Sequence, residues 1–569
     1  MKSESAWNMF VFRDGRRTVP GATLARDLAE AIRVAAQGPP FAAEDQILDA
    51  LLLAGEFECA LTDAGHPAFL HVASITDSLA AALVNPDAIS GRENLAALLN
   101  EIPPDPPSDL KISPPEGFAY YALHPLEFVD LVSRVPQSAA TVGVIGVRSI
   151  GATLSALVQA AVRRTGRKAK RFTVRPTGHP YDRQTAFTPV QERSVRNLLA
   201  SGAEFLVVDE GPGMSGSSFL SVGDALVQCG VAREKVTFLG SRCPDPDALR
   251  APNGASRWRS YRSYHTQDNS RVPREAAIYV GGGDWRKYMN VDPQQWPASW
   301  IQMERLKFLS DDRRVLYKFE GLGRFGKAVY ERSHQVATAG FAPRPLGIKD
   351  GFAAYPVLAG TPLSAAALTP ELLDRMAVYC AFRFSDFRCR TGQDSAAIET
   401  MVRFNLAEEF GQELPLDSGT LHSEHPVLVD GRMLPHEWIR TDSHEYFKVD
   451  AASHGDDHFF PGPSDIAWDL AGAIVEWGMD KDATQSFLTR YNHASGDDPL
   501  PRIGAFLLAY TVFRFGYCKM AAGAVQGSGE EHRLLAAHQR YRSLAIQYCN
   551  ELLEAEPVGA TGITSLHAG

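Results

Sequence analysis

Adjacent acids followed by glycines and serines in the run FLVVDEGPGMSGSSF, residues 205–219, have the side chains to hold a phosphorylated sugar. The apolar residues 205–208 predict a buried strand, and Asp209 and Glu210 stand at its carboxyl end. There, paired acids accept hydrogen bonds from vicinal hydroxyls such as those of a ribose. Gly213, Ser215, Gly216, Ser217 and Ser218 offer backbone N–H groups and hydroxyls to a phosphate. The helix expected from Phe219 adds the partial positive charge of its N-terminus. A strand-ending turn with a serine cap gives the same local pattern, so the neighbouring segments decide its weight.

Three more loops of suitable chemistry fall in order around it. VGVIGVRSIGATLSALV (142–158) sets Arg148, Ser149 and Gly151 between a strand and a helix. KRFTVRPTGHPYDR (170–183) brings Arg171, Arg175, His179 and Arg183, and FLGSRCPDP (238–246) closes the series. Together these segments resemble the type I phosphoribosyltransferases. The resemblance implies that Asp209 and Glu210 bind ribose hydroxyls, that Arg148 and Gly151 hold pyrophosphate, and that these two acids and Arg148 carry catalysis. It also implies substrate contacts from Ser149, Arg175, Arg183, Gly213, Ser215, Gly216, Ser217 and Ser218, with magnesium and phosphoribosyl pyrophosphate as cofactor and substrate. The implied reaction is phosphoribosyl transfer to or from a nucleobase, nucleotide or related metabolite. One departure is the interval between Glu210 and Ser215, which is one residue longer than the family's and reads GPGM.

A different chemistry is expected further along. RRVLYKFEGLGRFGKAVYERSHQVATAGFAPRPLG (313–347) puts Lys318 on a strand and Glu331 at the start of a helix, a pair suited to the phosphates of ATP. VLVDGRMLPHEWI (427–439) precedes YFKVD (446–450), whose Asp450 is a natural metal ligand, and SDIAWDLAGA (464–473) follows. From about 310 to 550 these features resemble the aminoglycoside and choline phosphotransferases. Where that family has His-Gly-Asp and then Asn, this chain has Asp430-Gly431-Arg432 and Glu437. The resemblance therefore places Arg432 at the base position and makes Glu437 the second metal ligand. His454, Asp456, Asp457 and His458 form a further candidate metal group, with a solvated polar loop as the commoner outcome. GLGRFG (321–326) follows Lys318 instead of preceding it, so it reads as a turn, and GGGD (281–284) is a poor candidate for a phosphate loop. Trp438, Trp468 and Trp477 read as core.

Positioning these residues requires several elements. A length of 569 residues suggests about three domains. Residues 1–102 read as a helical segment, and 103–117, with six prolines, as a linker. In 118–265 short apolar strands alternate with amphipathic helices, the rhythm of a parallel sheet. Residues 266–300 read as a connector, 301–555 as a mixed domain ending in helices, and 556–569 as a tail. The expected class is α/β: a phosphoribosyltransferase-like parallel-sheet domain with a helical N-terminal segment, followed by an α+β kinase-like domain. A net charge of −10 weighs against broad nucleic-acid or membrane binding. The apolar run 503–513 is too short to span a bilayer, and the first fifteen residues lack the pattern of a signal peptide. Seven scattered cysteines point to a reducing cytoplasm and no structural zinc. The expected partner is a small nucleotide or ribosyl phosphate, and a homo-oligomer is compatible with the sequence. Two other functions fit the pattern: a catalytically altered nucleotide sensor, and a small-molecule kinase with an inert N-terminal half.

Overall fold

The computed structural model describes residues 11, 15–39, 42–136, 138–266, 271–289, 291–389, 396–411, 419–456, 459 and 462–555. The expected tail, 556–569, lies outside them. The mixed α/β chain divides into two compact units: 15–272 with 321–327, and 273–320 with 328–555.

In the first unit β1 (Arg17–Val19) leads through α1 (Gly21–Gln37), α2 (Ala43–Asp63) and α3 (Phe69–Val84) to β2 (Leu110–Ile112), which pairs with β1. Two short helices, α4 (Glu116–Ala119) and α5 (Glu127–Arg134), precede the main sheet. Its elements are β3 (Thr141–Val147), α6 (Gly151–Arg164), β4 (Lys168–Val174), a hairpin of β5 (Thr177–His179) and β6 (Asp182–Gln184), α7 (Pro189–Ala200), β7 (Glu204–Val208), α8 (Ser217–Gln228), β8 (Val236–Gly240), α9 (Gly254–Arg259) and β9 (Arg262–His265). The five-stranded order is β4-β3-β7-β8-β9, all parallel. Strands covered on both faces read as continuous apolar runs, and β8 is buried at every position. Ile145, Val147, Phe205 and Val207 face Val195 of α7 and Phe219 of α8, while α6 packs along β3 and β4.

The N-terminal helices and the proline-rich run belong to this same unit, which corrects the expectation of a separate segment and a linker. Arg171 on β4 is nearly fully buried and bonds Glu58 of α2 through both terminal nitrogens at 2.7 and 2.8 Å. It also bonds Asp77 of α3. Gly55 lets α2 approach α6 closely: a Cβ there would stand 2.0 Å from Thr153 Oγ1. The proline-rich run is held by β2 and by a bond from Gly21 N to the Pro107 carbonyl, 2.9 Å.

The second unit begins with an antiparallel sheet of β10 (Ala276–Tyr279), β11 (Lys307–Ser310), β12 (Val315–Phe319), β13 (Gly347–Lys349) and β14 (Phe352–Pro356), in the order β10-β11-β12-β14-β13. Helix α10 (Arg324–Thr338) follows β12. Thus 266–300 is no mere connector: AAIY alternates and pairs with β11, Tyr279 opposite Phe308. The chain continues through β15 (Gly360–Pro362), α11 (Pro370–Asp386), α12 (Ala396–Phe410), β16 (Val427–Leu428), β17 (Trp438–Thr441), β18 (Tyr446–Lys448) and β19 (Pro463–Ser464). Four helices finish it: α13 (Ala467–Trp477), α14 (Lys481–Ser495), α15 (Ile503–Ala524) and α16 (Gly529–Ala555). The buried helix α15 packs on α12, α13 and α16. Trp438, Trp468 and Trp477 lie in its core. No described helix is long and apolar enough to cross a membrane.

Candidate functional site

The second unit encloses a cavity of about 400 Å³ between its sheet and the loops after β16 and β18, a size suited to a small ligand. Lys318, buried on β12, is pinned by its register opposite Ala353 of β14. Its ammonium bonds Asp450, donates to Ser453 Oγ at 2.8 Å and lies 3.3 Å from Glu320 Oε1. Asp450 follows β18 with φ +57°, and its side chain is 25% exposed. Its other carboxylate oxygen accepts from His454 Nε2 at 3.2 Å. Burial penalises the charge, yet the adjacent His454 and Lys318 hold the carboxyl well below its usual range. Asp450 is therefore ionised and reachable, as a magnesium ligand must be.

Glu331 does not meet Lys318. It is exposed on α10, and the lysine pairs with Glu320 and Asp450 instead. Glu320 is two residues on, just past the end of β12, and so falls on the face of Lys318, a periodicity that could have found it. Glu331→Ala should accordingly change stability by less than about 0.5 kcal/mol and leave ligand binding intact, measured by thermal unfolding with and without nucleotide.

The loop after β16 is fixed from behind. Asp469 of α13 accepts the N–H groups of Asp430 and Gly431 at 2.8 and 2.9 Å. Arg383 of α11 lies 3.6 Å from Asp469 and donates to the carbonyls of Ala451 and Leu428. Asp430 is 1% exposed and accepts from the Tyr379 hydroxyl, so it cannot reach an acceptor in the cavity. Lys448 places its ammonium 2.9 Å from Glu437 and 3.3 Å from Asp430. Ligand atoms of Asp430, Glu437 and His454 lie within 4.8 Å of one another, but the lysine already supplies the cation there. Glu437 is thus bonded to Lys448 at the position where the resemblance implied a metal. Among the expected His454 group, the side chain of Asp456 and residues Asp457 and His458 lie outside the described residues.

In the GGGD turn the Gly283 and Asp284 amides are spent internally, the latter on Gly281 O at 3.1 Å. Gly283 N donates to Glu304 at 3.0 Å, as does Trp285 Nε1 at 2.9 Å. Trp285 instead stacks on His436, with ring centroids 5.2 Å apart, and both line the cavity.

In the first unit the strand order reverses between β3 and β7, and the loops after these strands carry Arg148, Ser149, Asp209 and Glu210. Such switch points are where open parallel sheets bind ligands. Several of the expected contacts are nevertheless spent internally. Arg148 and Arg175 both bond Asp63 at the end of α2, the first at 2.8 Å. Ser215 and Ser217 are buried and donate to the Pro180 carbonyl at 3.0 and 2.7 Å. Arg183 donates to Gly178 O within its own hairpin, 2.6 Å. Gly213 and Gly216 adopt φ of +57° and +68°, the latter just before α8, where Ser218 sits in the first turn. Gly151 opens α6 against the β7 carbonyl end, where a Cβ would stand 2.9 Å from Val208 O. A space of about 20 Å³ lies beside Ser149 and Arg175, the scale of a single water. Neither Asp63 nor Pro180 carries a local motif that would have announced these contacts.

Burial pushes Asp209 up to about 7. Burial, with Glu116 and Asp209 nearby, pushes Glu210 up to about 8, although Glu210 accepts from Gly117 N at 3.1 Å. Both values lie above those of the unfolded chain, so the folded unit binds more protons. The stability they contribute is fully present below about pH 4, where the unfolded carboxyls are still protonated, and is lost as pH rises from there through 7 and then 8. Melting temperature should fall over that whole range and level off above it, and Asp209→Asn with Glu210→Gln should flatten the profile.

No family model matches this chain, and no curated protein does. Solved structures similar to part of it include choline kinase LicA from Streptococcus pneumoniae, at 11% identity and TM-score 0.32, over 43% of this chain and 90% of that one. A choline/ethanolamine kinase family protein from Mesorhizobium loti matches at 13% identity and TM-score 0.31, over 48% and 99%. An aminoglycoside phosphotransferase from Alicyclobacillus acidocaldarius matches at 9% and 0.31, over 50% and 94%. These comparisons lend no support to phosphoribosyl transfer.

Proposed function

We propose that residues 273–555 bind a nucleoside triphosphate with magnesium and transfer its terminal phosphoryl group to a small molecule. The observation that carries this reading is the Lys318–Asp450 contact in the wall of the cavity. A lysine on the sheet and an ionised acid after a later strand are the charges that phosphoryl transfer needs. Lys318 exchanges Asp450 for a phosphate oxygen, and Asp450 holds the metal. Magnesium, when bound, neutralises charge on the transferring phosphoryl group. The loop held by Asp469 presents Arg432 to the same cavity.

Titration of the full chain with ATP and magnesium should raise its melting temperature, as any ligand selective for the folded state does. Lys318→Met should abolish the rise. No shift, together with no calorimetric binding at millimolar nucleotide, would overturn the proposal.

For residues 15–272 the switch-point placement of Asp209 and Glu210 supports a narrower reading: binding of a ribose-bearing ligand without phosphoribosyl transfer. A nucleoside, whose ribose hydroxyls need only the two acids, should bind wild type and lose affinity in Asp209→Asn with Glu210→Gln; no binding, or turnover of phosphoribosyl pyrophosphate, counts against it.

A further inference from the structure

Lys318 has a second acid beside it, and that acid is anchored through both backbone and side chain. Glu320 Oε1 lies 3.3 Å from the lysine ammonium. The Glu320 N–H donates to the Gly351 carbonyl at 2.7 Å. Its carboxylate accepts from the Tyr355 hydroxyl at 3.1 Å and from Arg305 at 3.3 Å, and Arg305 also donates to the Glu320 carbonyl at 3.1 Å. Tyr355 belongs to β14 and Arg305 precedes β11 by two residues, so the acid is fixed from the sheet. All four residues line the cavity. The ammonium that Glu320 faces, by contrast, ends a flexible four-carbon stem.

In protein kinases an acid on a helix holds the lysine at the phosphates, and the position of that helix decides whether the pair forms. Glu331, the only acid in α10, is exposed instead. The helix reaches this cluster through Ser333, whose hydroxyl lies 3.2 Å from that of Tyr355. Glu320 stands two residues from Lys318 in the same chain segment, so no displacement of α10 separates the two. When Asp450 turns to a metal, a buried ammonium left without an anion would be costly. Glu320 and Ser453 remain to aim it.

We propose that Glu320 is the positioning residue for Lys318: it holds the ammonium toward the triphosphate from its own chain segment, so that the pair stays formed whatever the position of α10. This inference rests on the nucleotide reading above. Without the charge of Glu320 the lysine is present but unaimed. Its grip on phosphate weakens, while contacts to the rest of the nucleotide are unaffected.

The test compares wild type and Glu320→Gln in the full chain, titrated calorimetrically with ATP and magnesium and, separately, with adenosine. Glutamine still accepts from Tyr355 and Arg305, which preserves the anchor. ATP affinity should fall about tenfold, the loss expected when a charged hydrogen-bond partner is removed. Adenosine, which lacks the phosphates, should bind both proteins equally. Glu320→Asp, which keeps the charge, should recover part of the loss. Tyr355→Phe loosens the oxygen that faces Lys318 without altering any charge, and should weaken ATP by a smaller factor with adenosine again unchanged. That variant carries the test if Glu320→Gln does not fold. ATP affinity unchanged by Glu320→Gln, an equal loss for ATP and adenosine, or a loss of ATP affinity in Glu331→Ala would overturn the role of Glu320 while leaving nucleotide binding in place. Absence of ATP binding in wild type would instead remove the phosphotransferase reading, and with it the phosphates toward which Glu320 aims the lysine.

Discussion

Asp450→Asn is expected to lower nucleotide-dependent phosphoryl transfer by about two to three orders of magnitude, the usual cost of removing a group that stabilises transition-state charge. The substitution keeps the shape of the side chain and removes its charge. Lys318 retains Glu320 at 3.3 Å and Ser453 at 2.8 Å, so the buried ammonium is not stranded and the fold should survive. Metal affinity and turnover should fall together, whereas circular dichroism and melting in the absence of ligand should change little. Single-turnover rates at saturating magnesium are the decisive measurement. A loss below about tenfold would mean that Asp450 serves only as a structural partner of Lys318.

Arg171→Leu should cost the first unit about 3–5 kcal/mol, the range for breaking one side of a buried ion pair. The guanidinium holds Glu58 through two bonds and also donates to the Ala73 carbonyl at 3.2 Å. Without it, Glu58, 2% exposed, becomes an uncompensated charge between helix and sheet. The double variant Arg171→Leu with Glu58→Leu should recover most of the loss, because apolar replacement of a whole pair is often neutral. Because the chain has two compact units, unfolding is best followed by amide exchange in α2 and β4 instead of one global signal. A loss under about 1 kcal/mol in the single variant would contradict the argument.

The parts of the fold that could be read in advance are those written locally. TVGVIGV and KVTFLG are mostly apolar because β3 and β8 are covered on both faces, and that burial shows in the residues themselves. Lys318 and Asp450 could each be placed after or within a strand, although their meeting spans 132 positions. Long-range capture left no trace of this kind. Asp63 lies at the end of an ordinary amphipathic helix, yet it is what binds Arg148 and Arg175. Glu331 was expected at the start of a helix, but α10 begins at Arg324, which leaves Glu331 mid-helix on an exposed face. Similarly, polar GGGD masked the strand just before it, since β10 is only half-buried at an edge.

Lys448 has a consequence for how the site responds to its surroundings. Its ammonium is delivered to Asp430 and Glu437 by a covalent stem, at an effective concentration that no change in the medium can dilute. On the proposed function Asp450 would hold an exchangeable ion instead, so depletion of divalent cations would silence the chemistry of the cavity while the loop carrying Arg432 kept its shape. The protein would hold that wall of the cavity ready through a shortage of magnesium and resume as soon as the ion returned.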